Sequence, residues 1–392
     1  MKNCAYYDIM KMYNCVYSGA EMKKIKNEKK GFFSFIPLWT LILFGLGGIA
    51  FVIELISKRS VALSDFITNT TGKFFRALLS YSTYIFPFSV AEMLLWFSPV
   101  LVGIIIFLAV KYASRSWKAF SRFVSGFLAL CVTVYSLFIF TMGTAYYGTG
   151  FIGKMGLERK TISEEELYET AVVIAQRAAE LKDEIMYPEG TYSSMPYTFF
   201  EMSKKINEAY DVVCEKFDGI DDIETRVKPV ILSPLWTYTH ISGVYSFFTG
   251  EANVNTNYPD FVMASSAAHE MAHQRGIVTE DEANFVAFLV CTESDDPYLR
   301  YAGYMDMLNT FMMEIAASSS ELYSKLYSSM PSELQGEFAS YSAFFDKYRE
   351  NVAADVSDAV NNTYIENHNQ PAGVKTYGLV VELVAAYMAQ TD

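Results

Sequence analysis

Three long apolar runs before residue 147 constrain this chain more than any other feature of it. Residues 34–55 read SFIPLWTLILFGLGGIAFVIEL, and 91–112 and 123–145 match that run in character and length. Each is about as long as a helix must be to cross a bilayer, where every backbone N–H and C=O has to find its partner inside the segment. None has the polar stripe that a helix on a soluble core turns toward water. The first run starts too deep in the chain, and is too long, to be a cleaved leader, and it lacks a small-residue cleavage pattern. Three transmembrane helices are therefore predicted.

Charge supplies the expected orientation. Through residue 147 the chain has 15 Lys and Arg against 6 Asp and Glu; beyond it the numbers are 16 and 38. Five lysines crowd residues 22–30, and Lys111, Arg115, Lys118 and Arg122 share the short link between the second and third runs. The longer link at 56–90 has only Lys58, Arg59, Lys73 and Arg76. The positive-inside bias places the N-terminus and the 111–122 link in the cytoplasm, and three crossings then put the rest outside the cell membrane. The expected division is a cytoplasmic segment at 1–33, a membrane domain at 34–147 and an extracytoplasmic domain at 148–392. The aromatic stretch 69–90 is expected to lie in the interface or to re-enter it. The acidic part has no Lys/Arg stripe for a phosphate backbone, so a lipid bilayer and a peptide or protein, not nucleic acid, are the expected partners. The five cysteines have no metal-ligand spacing, and Cys214 and Cys291 read as small buried apolar residues rather than a disulfide.

Beyond 147 the pattern is mainly α. Ser163-x-x-Glu166 is a capping box opening a helix to about 185, and EMSKKINEAYDVVCEKF is helical in period. Residues 227–258, rich in β-branched and aromatic residues and broken by Gly243 and Gly250, predict a small β element. Pro259-Asp260 opens a central helix, helices resume from 280, and the last is expected at 376–388.

The central helix contains His269-Glu270-x-x-His273. Two histidines four apart share one helix face and can turn both rings to one ion, for which Zn2+ is the expected metal. Glu270, next to the first histidine, is the expected general base. Gly276 ends the helix, and Thr279 reads as the N-cap of a second helix that folds back beside the first, with Glu282 at the capping-box position. Its first turn offers the third metal ligand: Glu280, with Asn284 on the same face steadying a histidine ring, or Glu282, which the cap explains better. Tyr238, His240, Tyr245, His368 and Tyr377 are candidates for stabilising an oxyanion. Arg275 is expected to pair with nearby acids, and GEANVN at 250–255 to form an edge strand that a substrate pairs with.

SPLWTYTHISGVYSFFTGEANVN, AAHEMAHQRGIVTEDEANFVAFL and NTYIENHNQPAGVKTYGLVVEL at 362–383 resemble the DUF3810 family of bacterial membrane proteins. That resemblance runs from the first apolar run to the C-terminus and implies a zinc-dependent peptidase. A more distant likeness is to the glutamate-zincin peptidases, whose second helix bears Glu-x-x-x-Asp or Glu-x-x-Ala-Asn/Asp. On this chain the pattern falls on Glu280 to Asn284, which favours Glu280, while the link from Gln274 to Thr279 is shorter than in many such enzymes. The expectation is three N-terminal transmembrane helices followed by a mostly helical, zincin-like metallopeptidase domain. Its alternative is a non-catalytic, zinc-stabilised membrane sensor or assembly protein. Proteolysis inside the membrane is disfavoured, because the motif lies in no apolar span.

Overall fold

In a computed structural model the structure describes residues 34–188, 192–349, 351–371, 373 and 378–391. The segment 1–33, with Cys4 and Cys15, and Tyr377 lie outside the described residues. The chain divides into two compact units, one of residues 1–52 and 96–136, the other of 53–95 and 137–392.

Three helices are long and apolar enough to cross a membrane: α1 (Leu38–Ser57), α4 (Val90–Arg115) and α5 (Trp117–Phe138), the last prolonged by a π turn to Gly143. None of the apolar window of α4 is buried by protein, as expected of a surface that meets lipid. The protein is thus a multi-pass membrane protein.

The stretch between the first two spans is helical: α2 (Val61–Ile67), a π turn over Thr68–Gly72, and α3 (Lys73–Tyr84). α3 points its polar side inward. Arg76 is buried and donates to the Asp221 carboxylate through Nε and Nη2 at 2.9 and 2.6 Å. The same guanidinium reaches a carbonyl oxygen in each π turn, Thr68 at 3.0 Å and Thr141 at 2.9 Å. Carbonyls displaced from regular helix pairing are acceptors such a buried cation needs.

The larger unit continues through α6 (Gly150–Met155), α7 (Glu164–Leu181) and α8 (Phe199–Lys216). The capping box of Ser163 and Glu166 opens α7, and one built from Thr198 and Glu201 opens α8. Short strands follow: β1 (Lys228–Pro229), β2 (Gly243–Ser246) and β3 (Glu251–Val254). They form one sheet in the order β1-β3-β2, parallel between β1 and β3 and antiparallel between β3 and β2. GEANVN is therefore central, and the open edge beside it is β2. Pairing with β1, far away in sequence, covers the side of β3 that alternation alone leaves free.

Next come α9 (Asp260–Gln274), α10 (Glu280–Thr292) and α11 (Pro297–Ser318), then α12 (Ser320–Ser329), α13 (Ser332–Asp346), α14 (Val352–Asn367) and α15 (Val380–Thr391). α9 to α11 form the middle of the core. Ala264, Ala267, Ala268 and Ala272 are fully buried on α9, so neighbouring backbones come close, and Phe285 to Cys291 bury α10 on all sides. A helix apolar all round belongs in a protein interior, and only the few polar groups that function requires interrupt it. Cys214 and Cys291 are free thiols, and Cys291 is fully buried.

Candidate metal centre

α9 and α10 are joined by the tight turn at Arg275–Thr279. Gly276 has φ +96°, a left-handed conformation that side chains resist, and a Cβ there would meet Arg76 Nη2 at 2.8 Å. The Arg275 carbonyl also accepts from the Asp221 amide at 3.0 Å. The buried Arg76–Asp221 pair therefore underlies the turn that folds α10 back on α9. The short link is sufficient because the turn reverses the chain at once.

The three consecutive acids opening α10 go to three different partners. Glu280 turns to the histidines: its Oε2 is 3.3 Å from His269 Nε2 and 3.6 Å from His273 Nε2. Asp281 pairs with Arg159. Glu282 accepts the backbone N–H groups of Phe151 and Ile152 at 2.9 and 3.2 Å, so it caps the start of α6 and not its own helix. The expected box with Thr279 does not form; Thr279 makes no side-chain cap bond. A carboxylate that can satisfy two N–H groups across a tertiary contact gains more than one closing a local loop.

One ligand-type atom from each of His269, His273 and Glu280 lies within 4.8 Å of the others, and this is the candidate metal cluster among the described residues. The rings are perpendicular with centroids 4.7 Å apart. His273 Nδ1 lies 2.7 Å from the Ile277 carbonyl oxygen, which can only accept, so Nδ1 carries a proton and Nε2 faces the cluster. The Asn284 side chain, expected to steady a ring, makes no hydrogen bond among the described residues; the Ile277 carbonyl does this for His273. Glu280 begins α10, where the helix dipole favours its charge, and Gln370 Oε1 accepts its N–H at 3.1 Å. Burial alone would raise its pKa, but His273 and His269 hold its carboxyl far below the usual range. Burial would lower the pKa of His273, but the Glu280 charge and hydrogen bond override it and lift the imidazole to about 9. Two imidazole nitrogens and an anionic oxygen converging on one point can coordinate a metal ion.

Glu270 stands beside this cluster without joining it. It is buried, and burial pushes its carboxyl up to about 7 against the lowering charges of His269 and His273. Its Oε2 has no hydrogen-bond partner among the described residues. β2 presses on it from one side: a Cβ at Gly243 would meet Glu270 Cγ and Oε1, both at 2.6 Å, and the backbone N–H of Tyr245 acts on the carboxylate.

The other expected residues fall elsewhere. His240 Nε2 meets the Tyr348 carbonyl oxygen at 2.8 Å, and Tyr238 packs edge-on against Tyr348. The Tyr245 side chain is buried with Met142, Tyr146 and Val278, so only its backbone reaches the site. His368 sits among the rings of Phe138, Tyr146 and Tyr364. Arg275 pairs with no acid among the described residues; it is buried under the Tyr210 ring at 4.0 Å and donates to Asn207 Oδ1 and the Ile223 carbonyl at 2.8 and 2.7 Å.

Sequence reasoning missed two groups at the site. Tyr364 hydrogen-bonds the Tyr146 hydroxyl at 3.1 Å, and its own hydroxyl, raised in pKa first by burial, also responds to the Glu280 charge. Asp306, from α11, is half-buried, accepts from Ser265 Oγ at 2.7 Å and interacts electrostatically with His269. Ser265 lies one turn before His269, which was the available signal for that partner.

No curated protein and no solved structure matches the chain. The family model described as "Protein of unknown function (DUF3810)" matches residues 68–385, from the π turn after α2 into α15. It begins beyond the first apolar helix and takes in every residue of the candidate metal centre. The chain belongs to the DUF3810 family.

Proposed function

We propose that this protein is a membrane-anchored zinc-dependent peptidase, with His269, His273 and Glu280 as metal ligands and Glu270 as general base. The observation that carries the reading is the convergence of two imidazole nitrogens and one carboxylate oxygen beside a buried glutamate whose Oε2 has no partner among the described residues. Two nitrogens and one oxygen suit zinc and leave a coordination position free, as catalytic zinc sites do. A purely structural site has no use for an unpaired acid buried against it.

When bound, zinc supplies a Lewis acid that polarises the scissile carbonyl and acidifies water. The chain's own groups do the rest. Glu270, with a pKa near neutrality before any cation lowers it, takes the proton of the attacking water and passes it to the departing amine. The close approach of Gly243 confines that carboxylate. The edge of β2 facing away from β3 offers an extended substrate a strand to pair with, next to Glu270. The basic residues at 22–30 and 111–122 support an extracytoplasmic position for 148–392.

The test is cleavage of a diverse peptide library by the purified full chain, the chelated protein and Glu270→Gln. The account expects wild-type cleavage that chelation abolishes and zinc restores. It expects Glu270→Gln to lose about 100- to 10,000-fold in rate while keeping its metal. Cleavage that survives either treatment refutes it.

A further inference from the structure

α3 is an inside-out helix. Arg76 and Ser80 are buried, whereas Phe74, Leu78, Tyr81 and Ile85, spaced four, three and four apart, form one exposed stripe. Ile85 is 73% exposed and Phe74 61%. A second apolar surface belongs to the turn after β1, where Ile231 is 57% and Leu235 64% exposed. In water, bare apolar surface of this extent needs a cover.

Both surfaces are tied to the first turn of α4, the span whose apolar window has no buried residue. Glu92 accepts the N–H groups of Ile231 and Leu232 at 2.8 and 2.9 Å. In return Glu251, on β3, accepts those of Val90 and Ala91 at 3.0 and 2.9 Å. Buried Lys228, on β1, donates to the Thr83 and Phe86 carbonyls at the end of α3. Ser80 Oγ donates to the Gly250 carbonyl at 3.0 Å, which docks the β2–β3 turn on the same helix. Residues 93–110 have no charged side chain, so lipid begins within about a turn of Glu92.

The geometry points to one lipid-facing collar, formed by the α3 stripe and the 231–235 turn, lying in the headgroup–acyl boundary at the start of α4. Its occupant is the bilayer itself: the height is set by hydrogen bonds to a membrane span, and an apolar face at that depth is the form interfacial helices take. Because the β2–β3 turn rests on α3, β2 lies near that collar, within reach of chain that emerges from the same membrane. The substrate class is then the extended, membrane-proximal segment of a bilayer-anchored polypeptide. That second half rests on the peptidase reading; the collar does not.

Two measurements on the full chain in nanodiscs separate them. With Trp39, Trp96 and Trp117 replaced by Phe, Trp236 is the sole indole, inside the 231–238 segment. The collar requires its fluorescence to be quenched by lipids brominated near the headgroup and shielded from aqueous iodide; iodide quenching without lipid quenching overturns it. One peptide is then offered free and tethered to the bilayer by an acyl anchor. Tethered cleavage should be faster by on the order of 100-fold. Leu235→Asp should shrink that advantage and leave cleavage of the free peptide unchanged. Equal rates on both peptides in the wild type overturn the substrate assignment. Loss of all cleavage would fall on the peptidase reading, with the collar still decided by quenching.

Discussion

Gly243→Ala tests the contact between β2 and the proposed base. The added Cβ would sit 2.6 Å from Glu270 Cγ and Oε1. Comfortable carbon contacts are about 3.5–4.0 Å, so one partner must yield by about 1 Å. Glu270 is buried and cannot swing into solvent, and β2 is held by its ladder to β3. Either way the carboxylate moves by about 1 Å relative to the histidines. Displacement of that size at a reacting group costs about 100-fold in rate, or about 2.7 kcal/mol of transition-state stabilisation. The three atoms nearest that Cβ all belong to Glu270, so bound metal should be unchanged. The assay is kcat/KM on a cleaved peptide together with metal content. A Gly243→Ala protein with wild-type kcat/KM would refute the reasoning, because the base would then not depend on this packing. Loss of metal would refute it differently, by showing that β2 shapes the ligand set.

Other outcomes follow from the same geometry. In the metal-free protein, His273 is raised from 6.5 to about 9, so its stabilising share is complete below pH 6.5 and is lost as pH climbs through 9. Glu270, raised from 4.5 to about 7, loses stability in the same direction as it ionises in its buried site. Thermal stability of the chelated protein should therefore fall between about pH 6 and 9, while metal affinity, which requires neutral imidazole, should rise; parallel trends would contradict this. Glu282→Gln should destabilise the fold through the lost cap on Phe151 and Ile152 yet keep its metal, read by melting and metal analysis. Asp221→Asn should cost about 3–5 kcal/mol in denaturant unfolding, since it strips the buried Arg76 of its only carboxylate hydrogen-bond partner among the described residues.

Elements with a local cause were legible from the residues. Apolar length marked the three membrane helices, and the Ser163 box and the Pro259-Asp260 start marked two helix N-termini. The meeting of His269, His273 and Glu280 follows from two helices and a glycine turn, all within a dozen residues. What escaped depended on distant partners. Glu282 has the spacing of a local cap but is claimed by amides 130 and 131 residues away. Arg76 reads as a loop charge, but its carboxylate is 145 residues off and buried. Whether β3 is central or an edge is decided by β1, which its own alternation does not encode. Gly243 did leave a trace, since a lone glycine inside a strand often marks another group's close approach.

The most direct test of the central claim is metal analysis of the purified full chain beside Glu280→Gln and Glu282→Gln. The account predicts stoichiometric zinc in the wild type and in Glu282→Gln, and its loss in Glu280→Gln. A wild type that binds no zinc, or a Glu280→Gln protein that holds it as firmly as the wild type, would contradict it.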